Sequence, residues 1–540
     1  MKMPNNTMTA STRSIRTNVT EVLLSGGTYR SLEQQRLSPA EEKFETIRRV
    51  SGFILAPLGF LFMLWVPNDM EPTQQKVAAV LIGVILLWLC ESLPIPVTAL
   101  LGVGSMVLIG TAPAAEVLAP FGSTTIFTFI GAFILAQAML KHGVAQRLAY
   151  FVLGLPGVGN STVRIILAFG GITCVLSAFV SNTATVAMLL PTALGILTVI
   201  AQLMQDKGIV KEDFDPLRLR VGAALMLMLA YGASIGGLLT PVGAPPNLIG
   251  RGLIEEATGV RISFGQWVMT ALPICICMML ALSVILFLVN RPETRKIEGV
   301  AEFVAKHKQE QGKMSRAEIN TVIAFSITVF LWIFPAILGM FIGTDSALYE
   351  LVDERLNEGI VAVMGAVLLF VLPVESKKLQ YTLDWSDAAK IDWGTIILFG
   401  CGMIFGAMLG NSGLAESIGS GLNNMLGVSS SLVITAMAVL LAILISETTS
   451  NTAAAAVTVP IVVPLAIAAG VDPVIPAMAA TFGASFGFML PISTPQNAIV
   501  YGSGCVSIAR MIRTGISFDI IGGALIIFFL PTVATMVGIG

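Results

Sequence analysis

The sequence predicts an all-α polytopic membrane protein: about eleven transmembrane helices plus two re-entrant hairpins, arranged as an inverted repeat. Three observations predict this. The first is composition: of 540 residues, 55% are hydrophobic and 12% are charged, and mean hydropathy is +0.85. A soluble domain carries about 25% charged residues, and half that share does not cover a soluble surface of this size. The second is the length of the apolar runs. They approach the ~20 residues that span a bilayer as a helix, and they lack the strict alternation of an outer-membrane barrel. The third is a pair of long motifs, each occurring twice in the same order.

The same numbers exclude other classes. A net charge of -2 with no basic domain argues against a nucleic-acid binder. A membrane enzyme needs a nucleophile–base pair or a metal cluster, and the histidines, His142 and His307, both lie outside the apolar runs. The cysteines Cys90, Cys174, Cys275, Cys277, Cys401 and Cys505 lie in or beside those runs. They read as small apolar fillers, with no disulfide framework, zinc site or haem. No organic cofactor is expected.

Residues 1–49 are polar, mixed in charge and without the apolar core of a cleaved signal. They read as a cytoplasmic tail, with Ser38 placed to cap a short helix. Apolar segments follow near 51–66, 77–93, 96–115, 124–140, 163–203, 221–250, 265–289, 320–343, 359–374, 394–411, 431–468, 474–502 and 515–537. Segments 163–203 and 431–468 are too long for one crossing, and each has a polar break in its middle. Each reads as two half-length helices entering and leaving on one side, or as two full crossings. Charge favours the hairpins. With the N-terminus inside and the C-terminus outside, 27 of the 31 basic residues fall on the cytoplasmic side. Only Lys76, Arg251, Arg261 and Arg355 are then left to outer loops. The acidic loop 344–358 also falls outside.

The breaks belong to a repeat. Ser181-Asn182-Thr183-Ala184 is followed by Pro191, and Ser450-Asn451-Thr452-Ala453 by Pro460, each ten residues after the serine. Downstream stand Gly237-x3-Pro241-x3-Pro245-x-Asn247 and Gly487-x3-Pro491-x3-Pro495-x-Asn497. The charge distribution sets the two copies in opposite orientations, as in secondary transporters. In the second motif, prolines remove backbone donors and, with glycine, break a helix inside an apolar span. Irregular backbone at that depth survives where it is buried in protein or lines a cavity. Each half therefore offers a hairpin tip and a broken helix. Free carbonyls there suit a cation, and helix N-termini suit an anion.

Other features read as structural. Gly402-x3-Gly406-x3-Gly410 reads as a helix-packing face. Glu91 and Asp519 are expected near the cytoplasmic surface. Glu447, three residues before Ser450, either caps the hairpin turn or tunes an ion site. Trp65, Trp88, Trp267 and Trp385 are expected as interfacial anchors.

No lysine or arginine lies in the middle of any apolar span. An anionic substrate at mid-membrane would thus meet only helix ends, each worth roughly half a charge. Bound cations must supply the remainder. Hydroxyl, amide and carbonyl oxygens suit Na+, and Glu447 is the one acid placed deep enough for proton coupling. This favours Na+-coupled anion symport.

With these residues in view, the chain resembles the divalent anion/sodium symporter (DASS) family of dicarboxylate and citrate carriers. The resemblance rests on the paired Ser-Asn-Thr motifs with a Pro-Pro-Asn-like loop after each, and it extends from about residue 51 to 537. It implies a homodimer in the lipid bilayer, with a transport domain moving against a scaffold as an elevator. Scaffold helices would occupy 50–162 and 320–430. The transport domain would occupy 163–289 and 431–540, with a cytoplasmic linker at 290–319. Tips would lie at 181–183 and 450–452, and broken helices at 240–247 and 490–497.

Carried over by motif, the first sodium site would use Ser177, Ser181, Asn182 and the backbone around Gly243. The second would use Ser446, Thr449, Asn451 and the backbone around Ser493. A small divalent anion would meet Asn182, Thr183, Asn451 and Thr452, flanked by Ala244, Thr494 and Pro495. Two positions depart from the family pattern: Ala244 where a threonine or serine is usual, and Gln496 in place of the second proline. The expected substrate is a C4-dicarboxylate such as succinate. Citrate or sulfate symport, and sodium-independent exchange on the same fold, are the alternatives. Few basic residues and short outer loops fit a bacterial inner membrane.

Overall fold

Prolines, glycines and capping side chains cut the apolar sequence into helices. The computed structural model describes them over Val19 and residues 39–539, apart from 69, 212, 296–298, 344–345 and 428. Ser38 and most of the tail lie outside the described residues. The end of the tail is already helical, because α1 runs Pro39–Trp65. It is followed by α2 (Pro72–Cys90), α3 (Ile95–Leu108) and the short α4 (Ala114–Leu118).

Two blocks with the same element order then follow. The first is α5 (Thr124–Lys141), α6 (Val144–Leu153), α7 (Thr162–Ser177), α8 (Asn182–Asp206), α9 (Arg220–Leu238), α10 (Pro245–Thr258) and α11 (Phe264–Val289). Between the blocks lie α12 (Val300–Glu310), α13 (Arg316–Ile342), α14 (Ala347–Arg355), α15 (Glu358–Val371), a two-stranded ribbon of β1 (Pro373–Glu375) and β2 (Gln380–Tyr381), and α16 (Trp385–Ala388). The second block is α17 (Trp393–Asn411), α18 (Leu414–Leu426), α19 (Ser431–Thr448), α20 (Asn451–Ala468), α21 (Val474–Gly483), α22 (Pro495–Gly502) and α23 (Ile508–Val537). Gly143 and Gly413 turn the chain at the same point of each block, with φ of +67° and +71°, a region open to glycine at little cost.

The blocks pack reciprocally. α7 lies against α9 as α19 lies against α21. α10 of the first block packs on α20 and α21, while α22 of the second packs on α8 and α9. Of the helices outside the blocks, α3 packs on α17 of the second block and α15 on α5 of the first, where Gly131 lies against the Ala362 backbone. At the end of α5, Lys141 donates to Asp387 at 2.6 Å, and this hydrogen bond holds the Asp387 carboxyl below its ordinary range. After Arg220, every residue of α9 is buried, as in a predominantly apolar helix at the centre of a bundle.

Among the described residues, eleven helices are long and apolar enough to cross a membrane. That number equals the expected one, but the set differs. The expected half-length arms α8, α19 and α20 qualify, with 25, 18 and 18 residues. α3, α15 and α21 fall short, with 14, 14 and 10. Helix length therefore does not select between hairpins and full crossings at the two polar breaks.

Several side chains sit elsewhere than expected. Trp267 is fully buried and donates its indole N–H to the Leu238 carbonyl at 3.0 Å. Trp88 is buried against Phe405 and donates to the Ile95 carbonyl at 3.2 Å. Trp65 and Trp385 do face outward, 76% and 67% exposed. Arg251 belongs not to an outer loop but to α10, where it is 3% exposed and pairs with Glu358 at 2.6 Å. Asp519, expected near a surface, is buried beside Glu447. In each case hydropathy gave the segment, but the facing helix decided whether that side of it meets lipid, water or protein.

Candidate functional site

The two polar breaks fold alike. Ser181 and Ser450 are helix N-caps: their hydroxyls accept the backbone N–H of Ala184 at 3.3 Å and of Ala453 at 3.2 Å. This satisfies donors that the first turns of α8 and α20 would otherwise leave free. One turn before each cap, a buried serine reaches forward to the asparagine that follows it. Ser177 Oγ lies 2.6 Å from Asn182 Oδ1, and Ser446 Oγ lies 2.8 Å from Asn451 Oδ1. Asn182, Thr183, Asn451 and Thr452 are half-buried at the helix starts.

Each tip meets the broken helix of its own half. A Cβ on Gly237 would stand 2.6 Å from Asn182 Oδ1 and 3.2 Å from Ala244 Cβ. A Cβ on Gly487 would stand 3.0 Å from Asn451 Oδ1, 3.0 Å from Ser493 Cβ and 3.2 Å from Thr494 Cγ2. At both positions an added Cβ would crowd the asparagine amide, more severely at 237 than at 487. Gly243 has the Gly237 and Ala178 carbonyls close by, at 2.6 and 2.9 Å from where its Cβ would be. The structure thus brings Ser177, Asn182, Gly243 and Ala244 together at one tip, and Ser446, Asn451, Ser493 and Thr494 at the other. Ser181 and Pro495 are exposed at the edges. Thr449 turns both its hydroxyl and its backbone N–H back to the Ile445 carbonyl, at 2.8 and 2.9 Å.

Sequence reasoning gave the closing asparagines of the loops no role, and the structure gives them one. Asn247 donates its amide to the carbonyls of Gly237 (2.6 Å) and Thr240 (2.8 Å). Asn497 does the same to Gly487 (2.7 Å) and Leu490 (3.2 Å). These bonds hold the non-helical backbone in shape where prolines have removed its own donors. The signal was present as the last residue of the duplicated motif.

The loops differ in how they are tied to the preceding arm. In the first half, Thr240 Oγ1 donates to the Ala178 carbonyl. In the second, Glu447 makes the tie. Its Oε1 accepts the N–H groups of Phe488 (2.6 Å) and Met489 (2.9 Å), and its Oε2 accepts the Ser493 hydroxyl (2.9 Å). Glu447 thereby braces the broken helix itself. Asp519 lies buried beside it. Thr494 Oγ1 caps α22 by accepting the Asn497 N–H at 3.4 Å, whereas its counterpart Ala244 leaves α10 without a side-chain cap. The hydroxyl missing from position 244 is thus a helix cap.

Helix ends of both signs meet at each tip. α8 and α10 begin at the first, and α20 and α22 begin at the second. Their N-termini carry partial positive charge that favours a carboxylate. α7 and α9 end at the first, α19 and α21 at the second, and carbonyls beyond those ends favour a cation. The packing of α22 on α8 and α9, and of α10 on α20 and α21, joins the broken helix of each half to the other half.

Comparison with known proteins gives the family of the chain. Residues 48–539 match the family described as the sodium:sulfate symporter transmembrane region. The chain is 32% identical over 498 residues to the sodium-dependent dicarboxylate transporter SdcS of Staphylococcus saprophyticus subsp. saprophyticus, covering 91% of this chain and 93% of that protein. It is 31% identical over 490 residues to SdcS of Staphylococcus aureus strain USA300, covering 90% and 91%. Among solved structures it resembles Neisseria gonorrhoeae MtrF, of a class of antimetabolite efflux pumps. The TM-score is 0.50 at 14% identity, over 92% of this chain and 96% of that one, a likeness of fold alone. On the match over nearly its whole length, the chain belongs to the sodium:sulfate symporter transmembrane-region family.

Proposed function

We propose that this protein is a secondary active transporter that couples Na+ to the movement of a divalent anion, a C4-dicarboxylate such as succinate. The observation that carries this reading is the duplicated junction at which buried serine, asparagine and loop backbone meet four helix N-termini and four C-termini. Its oxygen-rich, lysine- and arginine-free composition suits an alkali cation next to a carboxylate. The names of the curated relatives support both partners.

In this reading Na+ binds first. Ser177, Ser181, Asn182 and the Gly243 backbone hold one ion, and Ser446, Thr449, Asn451 and the Ser493 backbone hold another. The ions order the tips. Each carboxylate of the dianion then meets one tip, through Asn182 and Thr183 or Asn451 and Thr452, with Ala244, Thr494 and Pro495 alongside. Two Na+ offset the dianion, and this matters for crossing, since moving one charge through 100 mV is worth about 2.3 kcal/mol. The 163–289 and 431–540 regions move against the scaffold as an elevator, within a homodimer in a bacterial inner membrane, N-terminus inside.

The order of binding has a direct test. Na+ alone raises the unfolding midpoint of the purified protein, because a ligand stabilises the state it binds. Succinate raises it further only when Na+ is present. An equal rise with succinate in K+ would contradict the ordered scheme.

A further inference from the structure

The internal repeat provides a check on each residue near the tips, because each has a counterpart 250 positions away in the broken-helix motif. Gly237, Pro241, Pro245 and Asn247 are matched by Gly487, Pro491, Pro495 and Asn497. Gln496 is not matched: its counterpart is Pro246. The structure shows what the glutamine does. Its Nε2 donates to Ser234 Oγ at 3.0 Å, a bond between residues 262 positions apart that joins the second half to the first. Both side chains are buried. The counterpart of Ser234 is Ala484, so the repeat is broken at donor and acceptor together. Neither Pro246 nor Ala484 has a side-chain group that can make this bond.

The position of the bond gives it meaning. Gln496 follows Thr494 and Pro495 at the start of α22, in the broken helix that meets the second tip at Gly487. Ser234 lies on α9 one turn before Gly237, the glycine against which Asn182 packs. Tyr231, one turn earlier on the same helix, donates to the Phe488 carbonyl at 2.6 Å. One face of α9 therefore grips the second broken helix at both ends, residue 488 and residue 496. The Gln496 bond is the grip nearer to the tips.

Resting on the symport reading above, we propose that the Gln496–Ser234 bond is a positioning element that fixes the separation of the two tips and so selects the length of the dianion. Each tip receives one carboxylate, and the two seats are discriminating only if their spacing is held. The bond is made once and not twice, so the seats are not equivalent. The broken helix at Thr494–Pro495, against the second tip, is anchored across the repeat interface by a side-chain amide, whereas at the corresponding position of the first stands Pro246.

The test compares labelled succinate and labelled glutarate, a dianion one methylene longer, in Na+-driven uptake by proteoliposomes. Ser234→Ala removes the acceptor. It is expected to raise KM for succinate and to narrow the succinate-over-glutarate preference in kcat/KM by about fivefold, the equivalent of one net hydrogen bond. Na+ dependence is retained. Ser234→Thr keeps the hydroxyl and restores the preference. Gln496→Pro, which copies the other half, reproduces the Ser234→Ala preference by an independent change and serves if that variant fails to reach the membrane. A uniform fall in uptake of both dianions, with their ratio unchanged, would overturn the proposal and leave the bond a packing feature. Na+-independent uptake by the unaltered protein would instead count against the symport reading itself.

Discussion

Asn182→Ala and Asn451→Ala each reduce Na+-driven succinate uptake to background, a loss on the order of a hundredfold, because a hydrogen bond to a charged group is worth about 1.5–3 kcal/mol and the proposed site gives each asparagine two charged partners. Both amides lie at the junction of a tip with its loop. Each has a serine hydroxyl within 2.8 Å and a glycine that leaves room for it. Alanine removes the oxygen that the proposed site offers to the cation and the N–H that it offers to the carboxylate. It leaves the caps at Ser181 and Ser450 in place, so the arms still begin where they do. The measurement is the initial rate of labelled uptake at equal amounts of reconstituted protein. The two variants are expected to fail alike. Retention of wild-type uptake by either would remove that tip from the site.

The second large effect lies away from the tips. Arg251→Met strongly destabilises the protein, by about 3–5 kcal/mol, because it leaves a buried carboxylate without its counter-charge. Glu358 has Arg251 Nη1 at 2.6 Å on one oxygen and accepts the Phe264 N–H at 2.6 Å on the other. Its backbone carbonyl accepts the Trp332 indole at 3.0 Å. One residue thus ties the start of α15 to α10, α11 and α13. Adding Glu358→Gln to Arg251→Met recovers part of the loss, since the orphaned charge is gone, and denaturant unfolding of the purified variants measures both. If Arg251→Met unfolds like wild type, the pair is not formed as described. The pair also bears on motion. It joins α10, in the region proposed to move, to α15, in the region proposed to stay, so the proposed stroke would have to break it.

Much of this was legible in the sequence, and the reasons are physical. Spacing survives folding: the Ser-Asn-Thr triplets and the Gly-Pro-Pro-Asn loops fall at the helix starts and breaks that their chemistry requires. Proline and glycine act locally, so their meaning can be read locally. What could not be read depends on which helix faces which. The neighbours of Trp267 on α11 are as apolar as those of a lipid-facing residue, and only the packing of α11 against α9 and Phe482 turns it inward. Glu447 and Asp519 are 72 positions apart, and Arg251 and Glu358 are 107 apart; no local pattern pairs them. The lengths of α3, α15 and α21 were likewise hidden. A hydropathy run continues through a turn or a break that the backbone does not continue as helix. The Gln496–Ser234 bond shows both sides: the asymmetry at 496 was visible, and its partner was not.

Whether Na+ drives a dianion through the junction of the two tips is tested most directly by labelled succinate uptake into proteoliposomes. An inward Na+ gradient is set against a K+ control, and both are repeated with unlabelled succinate inside. Uptake that requires Na+ and concentrates succinate above the external level is the predicted result. Uptake that ignores Na+ and requires internal succinate would contradict it: the protein would then be an exchanger, and the cation sites assigned to the two tips would have to be withdrawn.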